Sequence, residues 1–149
     1  MINYVSIDIP KRSLKKIGRK IVLRLFEENN ILCKYQILSK YLCLNSTDLI
    51  SVNFKDKYGL MEAELCEPNI EQIYEKIKYL IREEKKMQTF AIKVERKGEH
   101  KFTSTELAKE LAGSVFDLFP KIKVNLGNPD LKVNVKILNN KCLIYTEKK

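Results

Sequence analysis

The sequence predicts a mixed α/β protein built as two compact sub-domains. Helix-period and strand-period segments alternate in each half of the chain, with no tandem repeat or low-complexity tract. The 149 residues are 44% hydrophobic, enough for one ordinary core or two small ones. A boundary is expected near the Lys55-Asp56-Lys57-Tyr58-Gly59 break and the strand after it, dividing the chain into residues 1–64 and 65–149.

The first sub-domain opens on Ile2 to Ile9, where apolar and polar residues alternate as in a half-buried strand. Pro10 ends that strand and suits a helix start. From Lys11 to about Glu28, Leu14, Ile17, Ile21 and Leu25 recur at helical spacing, and Val22 and Phe26 widen the stripe toward a core. The opposite face is cationic: Lys11, Arg12, Lys15, Lys16, Arg19, Lys20 and Arg24 all precede the first acid, Glu27. Asn29-Asn30 stops the helix. Leu32 to Leu38 and Tyr41 to Leu44 read as short strands about a Ser39-Lys40 turn. Leu49 to Phe54 fits either a strand or a short helix, Lys55 to Gly59 interrupts the pattern, and Leu60 to Cys66 is again an alternating strand.

In the second sub-domain, Glu67-Pro68-Asn69 starts a helix, with Asn69 capping the free amides and Gln72 reaching back three residues later. Ile70, Ile73, Tyr74, Ile77, Leu80 and Ile81 give it a wide apolar face. Gln88 to Glu95 follows as a strand, then a helix from Thr103, where Thr103 and Glu106 have capping-box spacing. Leu107, Leu111, Val115 and Leu118 form its apolar row, thickened by Ala108, Ala112 and Phe119, and Gly113 permits close approach of another helix. The last strands, Leu131 to Ile137 and Cys142 to Tyr145, join through Asn139-Asn140, a hairpin turn because Asn tolerates positive φ.

Charge narrows the function classes. Lys plus Arg number 28 against 19 Asp plus Glu, so a net charge of +9 attracts polyanions, whether phosphate backbones or acidic lipid surfaces. No apolar run approaches the ~20 residues of a membrane-spanning helix, and Met1-Ile2-Asn3-Tyr4-Val5 lacks a signal peptide's order, which predicts a soluble cytoplasmic protein. Cys33, Cys43, Cys66 and Cys142 form no C-x-x-C pair and His100 is the sole histidine, so the expectation is buried free thiols, no metal site and no cofactor.

Catalytic constellations are missing from the sequence. There is no H-x-E with P-C-x-x-C for a deaminase, and the five glycines are never clustered into a phosphate cradle. Asn128-Pro129-Asp130 lacks the aromatic residue of an amino-methyltransferase motif, and His100 has no nucleophile beside it in the chain. Binding features are stronger. In Arg96-Lys97-Gly98-Glu99-His100-Lys101, cationic side chains project from a turn that Gly98 lets bend, just ahead of a helix N-terminus whose free amides attract phosphate. Phe90, Tyr74 and Phe119 lie on apolar faces and belong to the core, not to a base-stacking platform.

The stretch Phe90-Ala91-Ile92-Lys93-Val94-Glu95-Arg96-Lys97-Gly98 with His100, Phe102, Thr103, Ser104 and Glu106, followed by Asn128-Pro129-Asp130-Leu131-Lys132-Val133-Asn134-Val135, resembles the THUMP domain over roughly Glu67 to Thr146. The residues before it resemble the N-terminal ferredoxin-like domain that often precedes THUMP. The resemblance implies tRNA binding, with the paired domains gripping the acceptor stem and its 3′ CCA end while a catalytic domain acts elsewhere on the same tRNA. By position it implies Arg96, Lys97, His100, Lys101, Thr103 and Ser104 as the RNA-facing group of the second domain, while Asn128, Pro129 and Asp130 shape a turn. Lys11, Arg12, Lys15, Lys16, Arg19 and Arg24 supply the basic surface of the first. Since no synthetase, methyltransferase or deaminase domain follows before Lys149, the expectation is a non-catalytic protein that presents tRNA to a separate tRNA-modifying enzyme, such as a cytidine acetyltransferase, with no membrane partner. Two rival expectations are the RNA-binding subunit of a split thiolation, deamination or methylation enzyme, and an interaction module that no longer binds RNA.

Overall fold

The computed structural model describes residues 1–98 and 103–149, and in it the chain divides into a first unit, Met1–Ala63, and a second, Glu64–Lys149. The first unit runs β1 (Ile2–Ser6), α1 (Leu14–Asn29), β2 (Cys33–Leu38), β3 (Tyr41–Ser46), α2 (Val52–Tyr58) and the start of β4 (Leu60–Cys66). This βαββαβ order is that of the ferredoxin-like arrangement. β1 lies between β3 and β4, β2 pairs with the outer side of β3, and every pairing is antiparallel.

The core of this unit follows from the helical stripe. Leu14, Gly18, Ile21 and Leu25 of α1 are buried, against Tyr4, Leu42, Leu44, Ile50, Phe54 and Leu60. Ile21 and Leu25 are essentially inaccessible, each contributing about 1.5–3 kcal/mol of apolar burial. The Tyr4 hydroxyl is buried with its ring and accepts a hydrogen bond from the Ile50 amide at 3.1 Å.

Several expectations change here. Strand β1 ends at Ser6, and Lys11–Ser13 form a turn of 3-10 helix ahead of α1. Phe26 is 53% exposed, because its position falls beyond the arc that the sheet covers. The ambiguous Leu49–Phe54 stretch resolves into helix α2, and the residues read as an interruption belong to that helix. Ser51 caps it by accepting from the Phe54 amide at 3.3 Å, and Gly59, at φ 62°, ends it. Seven residues with Phe54 as the one buried side chain are too few to display a helical period.

The second unit contains α3 (Ile70–Ile81), β5 (Thr89–Lys97), α4 (Ser104–Leu118), β6 (Lys123–Val124), β7 (Leu131–Leu138) and β8 (Lys141–Lys148). β5 is parallel to β6 on one side and to β7 on the other, and β7 is antiparallel to β8. Both helices pack on one face of this sheet. Ile73, Ile77 and Ile81 of α3 and Leu107, Leu111 and Val115 of α4 meet Phe90, Leu131, Val133, Val135, Ile137, Cys142 and Ile144. Gly113 permits close approach as expected: a Cβ there would lie 2.9 Å from Tyr74 Oη, whose hydroxyl donates to Asp117 at 2.5 Å.

Both caps form. Asn69 accepts from the Gln72 amide at 3.1 Å and Thr103 from the Glu106 amide at 3.1 Å. The Gln72 side chain reaches past Asn69 to accept from the Glu67 amide at 3.2 Å. Asn139 turns the β7–β8 hairpin at φ 61°. Leu118 departs from its expected place in the core row and is 37% exposed at the helix end. The two-residue β6 has no counterpart in the sequence reading. The polar positions Asn134 and Lys136 of β7 are only 2% and 5% exposed, so both faces of this strand are covered. The cysteines are free, with Cys43 and Cys142 buried but Cys33 and Cys66 only partly so. Burial pushes the Cys43 thiol up to about 12 and that of Cys33 to about 11, so neither is a ready nucleophile.

Candidate nucleic-acid interface

In the first unit, the basic residues ahead of and along α1 project away from the buried row. Lys11, Arg12, Lys15, Lys16, Arg19 and Lys20 are exposed, and none of them has an ion-pair partner among the described residues. That is an uncompensated cationic surface, with all six charges free to meet an anion.

Arg24 differs from the other five residues expected to act with it. Its guanidinium grips Glu28 through Nε and Nη2 at 3.0 and 3.1 Å, donates to the Tyr58 hydroxyl at 2.5 Å, and lies 5.5 and 5.7 Å from the Phe54 and Tyr58 ring centres. It clasps α1 to α2. The sequence could not show this, since Tyr58 is 34 positions away.

The second unit forms a basic corner where β5 ends. Arg96 and Lys97 are the last two strand residues, both exposed. Gly98 follows at φ 106°, a backbone conformation that favours glycine, with the Asn139 side chain Oδ1 2.7 Å from where a Cβ would stand. The Asn139 amide donates to the Lys97 carbonyl at 2.9 Å, bringing the β7–β8 turn beside the strand end. His100 and Lys101, also expected in this group, lie outside the described residues. Thr103 and Ser104 stand at the start of α4: Thr103 is exposed and its hydroxyl serves the cap, and Ser104 is the first helical residue. Two exposed cations thus precede, in the chain, the positive end of a 15-residue helix.

Asp130 has the turn-shaping role expected of it. Its carboxylate accepts from the Gln88 and Thr89 amides at 3.0 and 3.2 Å, while the Thr89 hydroxyl accepts from the Asp130 amide at 2.9 Å. Those amide donors, Gln88 first, hold its pKa below the usual carboxylate value. Asn125 does similar work inside the loop, accepting from the Gly127 and Asn128 amides at 3.1 and 3.0 Å.

Sequence reasoning missed the lysines on the sheet surface opposite the helices. Register sets Ala91 beside Lys132, Lys93 beside Asn134, and Glu95 beside Lys136. Lys136 Nζ pairs with Glu95 at 2.9 Å and Lys93 Nζ with the same carboxylate at 3.3 Å. The Lys136 bond and then the Lys93 contact hold the Glu95 pKa below its ordinary value, partly opposed by desolvation. The signal was the odd-even parity of β5 and β7, which only the strand register turns into neighbours. Among the described residues, no group of three or more His, Cys, Asp or Glu side chains could hold a metal ion.

The family model of the THUMP domain matches residues 67–147. This chain belongs to the THUMP domain family. The THUMP region falls within the second unit, taking in α3 and all but the last residue of β8. Similar segments occur in tRNA sulfurtransferases: one from Tolumonas auensis is 40% identical over 58 residues, covering 39% of this chain and 12% of that protein. Another, from Klebsiella pneumoniae, is 34% identical over 76 residues, covering 51% of this chain and 16% of that protein. The chain therefore spans a sixth or less of the length of these curated relatives. A 4-thiouridine synthetase solved with RNA and bound ATP has the same fold over 99% of this chain and 41% of its own, at 17% identity and a TM-score of 0.74. A protein from Pyrococcus horikoshii matches 99% of this chain and 55% of its own, at 15% identity and a TM-score of 0.73. THUMP is an RNA-binding domain that occurs in tRNA-modifying enzymes.

Proposed function

We propose that this protein binds tRNA at the acceptor stem and 3′ CCA end and presents it to a separate tRNA-modifying enzyme in the cytoplasm, itself doing no chemistry. The carrying observation is the THUMP domain at residues 67–147, in which β5 ends on the exposed cations Arg96 and Lys97 and α4 is the next described element in the chain. The working division is residues 1–64 and 65–149, each part offering one basic surface. Lys11, Arg12, Lys15, Lys16 and Arg19 serve the first, and Arg96, Lys97, Thr103 and Ser104 the second. Arg24 is left out of the RNA-facing set because its guanidinium is engaged by Glu28 and Tyr58.

Such a surface suits A-form RNA, whose deep major groove is closed to side chains and whose phosphates and 2′-hydroxyls carry most contacts. If about five phosphates are neutralised, log K should fall by about 3.5 to 4.5 per tenfold rise in salt, at about 0.7–0.9 per contact. The test compares full tRNA, tRNA lacking its CCA end and unstructured RNA by gel shift, with a R96E/K97E variant alongside. Strong salt dependence, a preference for intact tRNA and loss of binding in the variant are expected. Binding indifferent to salt, to the CCA end or to charge reversal would defeat the reading. Mass spectrometry of tRNA from cells lacking the protein should then identify the modification served.

The sulfurtransferase relatives favour a second reading, in which the chain is the RNA-binding subunit of an enzyme whose catalytic half is another polypeptide. A tightly co-purifying catalytic chain, with modification lost when the two are separated, distinguishes it.

A further inference from the structure

Two of the four cysteines stand against each other. Cys66 is the last residue of β4, immediately before the Glu67-Pro68-Asn69 entry to α3, and is partly exposed. It packs against the core of the second unit, in which Cys142 of β8 is fully buried. The two thiols lie in hydrogen-bonding contact. Cys33 and Cys43 are placed differently: the Cys33 thiol donates to the Lys34 carbonyl at 3.5 Å, and Cys43 is buried in β3 of the first unit.

The contact gives the two sulfurs unequal roles. The hydrogen bond from Cys142 holds the Cys66 pKa below its ordinary value, and Lys76 adds to this, while desolvation, Glu64 and Glu67 oppose it. Lys76 also pairs with Glu64, at the long distance of 3.9 Å. The same thiol–thiol bond, together with burial, raises Cys142. Thiolate is the attacking form in disulfide exchange, and reactive cysteines are the partly exposed ones with a cation nearby. Cys66 is therefore the attacking sulfur. Cys142, closed to solvent and held against it, is the sulfur that can resolve what Cys66 forms.

We infer that Cys66 and Cys142 form a thiol–disulfide exchange site that reacts with small disulfides of the glutathione class and closes into a Cys66–Cys142 disulfide. In the first step the Cys66 thiolate attacks one sulfur of the small disulfide, forming a mixed disulfide and releasing one small thiolate. In the second the Cys142 sulfur attacks Cys66, and the Cys142 proton leaves with the second small thiol. Two protein thiols are oxidised to one disulfide, and one small disulfide is reduced to two thiols. Because the sulfurs already touch, the bond forms without opening the core. It ties the entry of α3 to β8 across a long stretch of chain, the case in which a cross-link restrains the unfolded state most. In a reducing compartment such a pair rests as the dithiol and closes when small disulfides accumulate. The site stands apart from the RNA reading, and neither requires the other.

The test treats the reduced, folded protein with glutathione disulfide, traps free thiols at intervals and maps unreduced peptides by mass spectrometry. Wild type should yield a peptide linked through Cys66 and Cys142, with Cys66 consumed at least about tenfold faster than Cys33 or Cys43. C142A should stall with glutathione on Cys66, and C66A should leave Cys142 unmodified. The linked form should melt about 5–10 °C above the dithiol, a gain reversed by dithiothreitol. Links through Cys33 or Cys43, a mixed disulfide on Cys66 that persists in wild type, a Cys66–Cys142 link that forms only in urea, or a linked form less stable than the dithiol would each overturn the inference. The wild-type mapping decides the matter even if a variant fails to fold.

Discussion

Gly18 is the position at which the basic helix is most sensitive to a single methyl group. A Cβ built there lies 2.7 Å from Cδ2 and 3.0 Å from both Cγ and Cε2 of Tyr35 on β2. These atoms belong to the body of the ring, so Tyr35 or the helix must move by several tenths of an ångström or more. Two terms oppose each other in G18A. Alanine in a helix interior is favoured over glycine by about 1 kcal/mol. Overpacking a well-filled contact costs about 1–3 kcal/mol. A net loss of about 1 kcal/mol follows, lowering the melting temperature by about 2–4 °C for a chain of this size. Y35A removes the obstacle, so in that background G18A should be stabilising by about 1 kcal/mol, giving a coupling energy of about 2 kcal/mol. Urea unfolding of the four proteins of this cycle, followed by far-UV circular dichroism, measures it. G18A that stabilises equally in both backgrounds would show that the helix does not seat on Tyr35 and would refute the packing argument.

Arg19 and Arg24 should separate function from structure. R19A is expected to reduce the salt slope of tRNA binding by about 0.7–0.9, whereas R24A should leave the slope unchanged and lower the urea midpoint, both read from the same preparations. T103A removes the acceptor for the Glu106 amide and should cost about 0.5–2 kcal/mol in chemical denaturation, with T103S restoring most of it. For Asp130 the folded-state value is depressed by the Gln88 and Thr89 amides, so its contribution is present above the ordinary aspartate value near 4 and is lost as pH falls through the lower folded value. D130N should therefore be less stable than wild type at neutral pH and show a shallower loss of stability below about pH 4; identical acid titrations of the two proteins would refute the assignment.

Much of this molecule is legible in local pattern. The stripes of α3 and α4, the caps at Asn69 and Thr103 and the Asn139 turn each depend on residues within a few positions of one another, and all appear in the structure. Arg96 and Lys97 were legible as exposed cations at a strand end ahead of a capped helix, while their RNA-facing role is what the THUMP resemblance implies. Helix α2 was not legible, because one buried phenylalanine in seven residues has no period to detect.

Composition and spacing by themselves determined a cationic α/β chain in two parts, with the basic face of α1 and the corner after β5 as its anion-seeking surfaces. Those properties are additive along the chain. Tertiary structure alone decided which cations remain available. Arg24 is taken up by a tyrosine from another helix, and Lys136 is buried against Glu95 through strand register. Each of those outcomes depends on neighbours more than thirty positions distant in the sequence, which helical or strand periodicity does not carry.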